Sequence, residues 1–398
     1  MQGIEQFQPA RLKSARLMYD GLSRAALAEM INVAPSTLKK WEDGTHFPQH
    51  EALEKLSDSL QIPYHWFLKP MIDQGNPLFL NRAKKSILKA PCDRSNEMLL
   101  NLSEIREIAE EWINFPNVNL IRSLTRSEAL LLTNSEIEEL AFNLRQLWGL
   151  GKSPITDLTK RIEKAGIVVT RFEIGYDEMD GTSAWIRDKP YIFIASDKNN
   201  YFRSRFDIAH ELGHLIMHRN LSHEDKKARF NLLEEQAHYF ASCFIFPPDA
   251  FTAEAHRMSI ESLTMLKKRW GLSIAAMIYK ASSLRMISEE QASRLWRSLR
   301  YRGYHKSEPY DNETPPENPV ALKNAIKLML SEGGFSKSNI VDQFGLKKHL
   351  ELLCNLPSGF LNEDFGQIIS MKKVVFESNQ SGNVDTLKTP GEIIKFSS

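Results

Sequence analysis

The stretch RFDIAHELGHLIMHRN, residues 205–220, carries the reading of the whole chain. It sets His210, Glu211 and His214 at the spacing H-E-x-x-H, with His218 one helical turn further on. Each helical residue turns by about 100°, so His210 and His214 lie about 40° apart and project from one face. Two imidazoles so placed reach one ion. Glu211 stands off the ligand direction, close enough to touch a water beside that ion. Histidine pairs on apolar helices are more often plain core, and in 398 residues three fixed positions recur by chance on the order of once in a hundred. The motif therefore needs a third ligand, because hydrolytic zinc takes three protein ligands and keeps one position open.

The stretch LLEEQAHYFASCFIF, residues 232–246, ends at Pro247-Pro248 and supplies three candidates. On a helical wheel Ala237, His238, Ala241 and Ile245 fall within about 60° of Glu234. Small residues on that side let this helix approach the first and aim Glu234 at the ion. Glu235 shares its side with Tyr239 and Ser242 and reads as solvated. His238 is the alternative ligand or a hydrogen-bonding partner of one, and a surface Glu-Glu pair is the plain alternative. Asp207 could orient an imidazole by accepting its second N–H, or sit on the helix surface. His218 and His223 read as solvated or helix-terminal.

Around these helices the pattern is mixed. Gly166 stops a helix, IVVTRFEI (167–174) reads as a strand, and GTSAWI (181–186) pairs with KPYIFIA (189–195) across a polar turn. The length predicts two or three domains, and 42% hydrophobic with 25% charged residues fits a globular, non-membrane protein. No apolar run is long enough to span a bilayer, and the first residues lack the order of a signal peptide. Cys92, Cys243 and Cys354 are odd in number and follow no paired spacing, which points to a reducing cytoplasm. A net charge of +1 argues neither for nor against a polyanionic partner.

The first 70 residues are a run of short helices. SRAALAEMINV opens at Ser23, a good N-cap, and is expected to bury Ala26, Leu27, Met30 and Ile31. APSTLKKWEDG opens on Pro35 and stops at Gly44. Two such helices joined by a tight turn make a helix-turn-helix candidate, with Ser36, Thr37, Lys39 and Lys40 placed to read an operator. Residues 1–70 hold eight basic and eight acidic side chains, so DNA affinity should be modest and salt-sensitive, and a protein-binding module is the competing reading.

Two resemblances sharpen this. From RLKSAR to PYHWFL, residues 9–68 resemble the XRE/Cro-type helix-turn-helix domain. DGTSAWI, KPYIFIA, NNYFRSRFDIAHELGHLIMH and EEQAHYFASCFIFP together resemble the ImmA/IrrE family of metallopeptidases over roughly 135–300. The second resemblance implies His210, His214 and Glu234 as zinc ligands and Glu211 as the catalytic carboxylate of a gluzincin-like site. Many members have Glu-Ala-Asn where this chain has Gln236-Ala237-His238, which puts the surroundings of the ligands in question.

The expected fold is α+β and mainly α. A five-helix helix-turn-helix domain (8–70) is followed by a connecting helical region (71–134). A zincin-like peptidase domain with a small sheet and the H-E-x-x-H helix follows (135–300), then a helical C-terminal region (301–362) and a loosely structured tail (363–398). The expected function is a cytoplasmic zinc endopeptidase with a DNA-binding domain, cleaving a regulatory protein such as a helix-turn-helix repressor and binding operator DNA as a homodimer. The alternative is a DNA-binding regulator or antitoxin whose peptidase-like domain senses or binds partners. In the first case zinc lowers the pKa of water to about 7 and Glu211 shuttles the proton. Tyr239 or His238 could assist the oxyanion, and PYIFIA (190–195) could take an extended substrate by strand addition.

Overall fold

In a computed structural model, residues 3–19, 21–81 and 89–362 are described, with the backbone of 394–395. The expected loose tail lies outside the described residues, save for 394–395. The N-terminal unit consists of α1 (Pro9–Met18), α2 (Arg24–Met30), α3 (Pro35–Glu42), α4 (His50–Leu60) and a 3-10 turn over Tyr64–Leu68. The Ser23 hydroxyl caps α2, accepting from the Ala26 N–H at 3.1 Å. Leu12, Ala15, Leu27, Leu38, Leu53, Leu56 and Phe67 fill the centre. Met30 does not: it is 46% exposed, and Ala28 takes the inward place. The seven-residue α2 presents the side carrying residues 27, 28 and 31, which turns position 30 outward.

β1 (Leu80–Asn81) and α5 (Lys89–Glu110) follow. The buried Arg11 guanidinium ties α1 to α5, donating to both Glu104 oxygens at 2.7 and 2.5 Å and to the Lys69 and Pro70 carbonyls. β2 (Ile113–Asn114) pairs in parallel with β6 (Ile394–Lys395). Next come α6 (Arg126–Leu131), α7 (Asn134–Leu147) and α8 (Leu158–Lys164), and then the strands β3 (Val168–Phe172), β4 (Gly181–Ile186) and β5 (Lys189–Ala195).

The main sheet has the order β1-β4-β5-β3. β4 and β5 form a hairpin on Arg187 and Asp188, both at positive φ, as a two-residue turn between twisted strands requires. β3 lies parallel to β5. KPYIFIA is therefore an interior strand with both edges paired, so it cannot receive a substrate strand. The edge beyond the hairpin belongs to β4, and Leu80–Asn81 lie along it.

Period-two alternation divides the sheet between two apolar clusters. Val168, Phe172, Tyr191 and Phe193 pack with α5, the N-terminal unit and the C-terminal helices α15 (Ala321–Ser331), α16 (Lys337–Phe344) and α17 (Lys347–Leu353). Val169, Ile192 and Ile194 pack with α9 (Tyr201–Met217) and α10 (His223–Ile245). The same cluster takes in α11 (Pro248–Glu254), α12 (Ile260–Trp270), α13 (Ile274–Ser283) and α14 (Glu289–Tyr301). The fold is mainly helical with a small mixed sheet, as expected. Among the described residues no helix is long and apolar enough to cross a membrane.

Candidate metal centre

α9 starts where the Asn200 side chain accepts from the Arg203 N–H at 3.0 Å, and α10 starts with a Ser222–Asp225 capping box. The two helices meet closely because Gly213 lacks a side chain. A Cβ there would stand 2.9 Å from Phe240 Cδ1. Ala237 and Ala241 of α10 are both fully buried in the same apolar cluster.

Three side chains converge at this crossing. His210 Nε2 and His214 Nε2 are 3.0 Å apart. Glu234 turns one oxygen to each, 3.4 Å from His210 and 3.3 Å from His214. The ligand atoms lie within 4.8 Å of one another. Glu211 is buried, and its Oε1 would be 3.0 Å from a Cβ at Gly181 on β4. Glu235 is exposed.

The protons can be placed by following the bonds outward. Gln236 Nε2 donates to the Ala129 carbonyl at 3.0 Å, so its Oε1 must accept. That oxygen lies 2.9 Å from His218 Nε2, which is therefore the N–H of His218. Burial drives the His218 pKa down to about 3, so the ring is neutral and its Nδ1 carries a lone pair. His214 Nδ1, 2.8 Å away, must donate to it. His214 Nε2 then faces a Glu234 carboxylate oxygen and His210 Nε2. Burial also lowers the His210 pKa to about 3. Burial works against ionisation of Glu234, yet the His210 and His214 contacts hold its carboxyl far below the usual range. Two imidazole nitrogens and a carboxylate within 4.8 Å of one another are a donor set that fits a divalent metal such as zinc.

Several expectations are corrected. His218 is neither solvated nor a mere helix end: it is fully buried and linked to His214. Asp207 does not orient His210, whose Nδ1 has no hydrogen-bond partner. Three residues earlier on the helix, Asp207 lines a shallow recess with Arg171, Asp180 and Arg203. Tyr239 stands about 100° round the helix from His238 and gives its hydroxyl to Glu138 of α7, so it does not face an oxyanion. Burial first, and then Glu138, keep this phenol protonated. His238 lies beside His210, ring centroids 5.1 Å apart, and outside the converging ligand atoms.

Residues 162–282 match a peptidase family model described as the IrrE N-terminal-like domain, and residues 12–67 match a helix-turn-helix model. The chain joins a helix-turn-helix domain to an IrrE N-terminal-like domain. No curated protein matches it. Within the IrrE-like domain, sequence reading did not place Gly181 beside Glu211 or link His214 through His218 to Gln236. Only the i, i+4 spacing of His214 and His218 could have hinted at their link.

In the helix-turn-helix domain Ser36, Lys39 and Lys40 of α3 are exposed and Thr37 is half-buried, while Leu38 and Trp41 point inward. Arg16 and Arg24 both bind the buried Glu42, each with a contact of 2.5 Å, and Arg11 is spent on Glu104. Lys39 and Lys40 are thus the charges that α3 presents outward.

Proposed function

We propose that the IrrE-like domain is a zinc-dependent endopeptidase acting in the cytoplasm on a regulatory protein, such as a helix-turn-helix repressor. On this reading the N-terminal domain binds operator DNA through Ser36, Thr37, Lys39 and Lys40, as a homodimer. The observation that carries the peptidase reading is the convergence of His210, His214 and Glu234 within 4.8 Å, with Glu211 on the helix of the two histidines. His210 and His214 hold the ion through Nε2, and Glu234 through its carboxylate. Zinc bound there supplies Lewis acidity toward water and a peptide carbonyl. Glu211 takes the proton of the attacking water and returns it to the leaving amine as the C–N bond breaks. His218 and Gln236 keep the His214 ring from turning or changing tautomer.

The burial of Glu211, 1% exposed, favours a second reading, a DNA-binding regulator whose peptidase-like domain senses or binds partners. Incubating the zinc-loaded chain with helix-turn-helix repressors from the same genome separates the two. Cleavage by the native chain, lost in Glu211→Gln with zinc retained, supports the endopeptidase. Intact repressors throughout would favour the regulator.

A further inference from the structure

A peptidase must bring an extended peptide past its general base, yet here the strand edge beside Glu211 is already covered. Leu80 and Asn81 run antiparallel to β4, Leu80 opposite Ser183 and Asn81 opposite Thr182. The next residue of β4 is Gly181, whose missing Cβ leaves room for Glu211 Oε1. The described pairing thus reaches Thr182, the residue beside Gly181 and the carboxylate. Side chains reinforce this pairing. Asn81 Nδ2 donates to Thr182 Oγ1 at 3.0 Å and to Asn96 Oδ1 at 2.8 Å. Lys226, on the helix that carries Glu234, donates to the Phe79 carbonyl at 2.5 Å and to Asn81 Oδ1 at 3.1 Å. Leu78 and Phe79 alternate between the two apolar clusters, as strand residues do, and Leu80 is buried.

From this we infer that the outer edge of β4 is the docking edge for an extended peptide, and that the chain's own Leu78–Asn81 occupies it as an internal substrate mimic. The inference rests on the endopeptidase reading and specifies what that site recognises. The partner is an unfolded segment running antiparallel to β4. It offers an apolar side chain where Leu80 sits, an amide where Asn81 sits, and a backbone carbonyl to Lys226. A tethered segment acts at an effective concentration on the order of millimolar, so a free peptide competes poorly until the tethered copy is weakened.

The test uses the full chain carrying Glu211→Gln and a fluorescein-labelled peptide QGNPLFLN, residues 74–81, followed by anisotropy. Leu80→Asp, which ejects the internal copy, should bind the peptide at least tenfold more tightly than the chain with Leu80. Should that variant fail to fold, Asn81→Ala removes three hydrogen bonds and little apolar surface, and carries the same expectation. Equal binding by a folded variant and its parent overturns the inference. A second arm measures cleavage of fluorescein-casein by zinc-loaded chains that retain Glu211, where Leu80→Asp should be at least tenfold faster. Gained binding with no cleavage keeps the docking edge and removes the endopeptidase reading. Equal binding with cleavage by both chains does the reverse.

Discussion

Replacing His218 by alanine breaks the bonded row from Ala129 through Gln236 and His218 to His214 at its centre. His214 Nδ1 and Gln236 Oε1 would both be left buried and without a partner. Each such loss costs about 1–3 kcal/mol, so the domain should lose roughly 2–6 kcal/mol, less wherever water enters the cavity. The effect on zinc is separable. Freed from its acceptor, His214 can move its proton to Nε2 or turn its ring, and losing such a supporting bond weakens metal binding by about 10–100-fold. That is about 1.4–2.7 kcal/mol. His218→Gln keeps an acceptor within reach and should recover much of the affinity. The assay is competition for zinc against a chromogenic chelator, with ¹⁵N spectra of labelled histidine reporting the His214 tautomer. The reasoning fails if folded His218→Ala binds zinc within twofold of the native chain, or if native His214 carries its proton on Nε2.

Glu234→Ala should weaken zinc binding severely and Glu235→Ala hardly at all, because Glu235 is exposed; equal losses by zinc titration would contradict the ligand set. Gly213→Ala gains about 1 kcal/mol of helix propensity but sets a Cβ 2.9 Å from the buried Phe240 ring, an overpacking of about 1–3 kcal/mol, so its Tm should fall. An unchanged Tm would show that α10 yields easily there. Lys39→Ala with Lys40→Ala should weaken operator binding and reduce the slope of log K against log salt by about 2, and an unchanged slope excludes both as phosphate contacts. Burial raises the Glu163 carboxyl from 4.5 to about 7, against the Ala321 and Val320 N–H bonds. A folded pKa above the unfolded one makes the native state bind more protons, so this group costs stability progressively as pH rises from 4.5 to about 7, by on the order of 3 kcal/mol. Glu163→Gln should therefore gain Tm over the native chain at pH 7.5 relative to pH 5, and an equal gap at both pH values sinks the assignment.

The parts that could be read from sequence are those that short-range periodicity controls. His210 and His214 share a face because they are four apart on one helix, and Glu234 shares its own with Ala237 and Ala241. The hairpin of β4 and β5 follows from two apolar runs around a polar turn. What escaped depends on long-range partners. His218 looks like a helix end until Gln236, itself bound to Ala129, is packed against it. Leu80–Asn81, the described part of the strand beside β4, is too short to show a period, so the occupied edge could not be read from sequence. Tyr239 was misplaced because its partner, Glu138, comes from a helix a hundred residues earlier.

The most direct test of the central claim is an anomalous difference map at the zinc edge from crystals of the zinc-loaded chain. One peak per chain is expected, about 2.0–2.1 Å from His210 Nε2 and His214 Nε2 and about 2.0–2.2 Å from a Glu234 oxygen. Glu211 should face the open side of the ion. A map with no peak at the α9–α10 crossing, or with a His238 nitrogen on the metal and Glu234 turned away, would contradict the account.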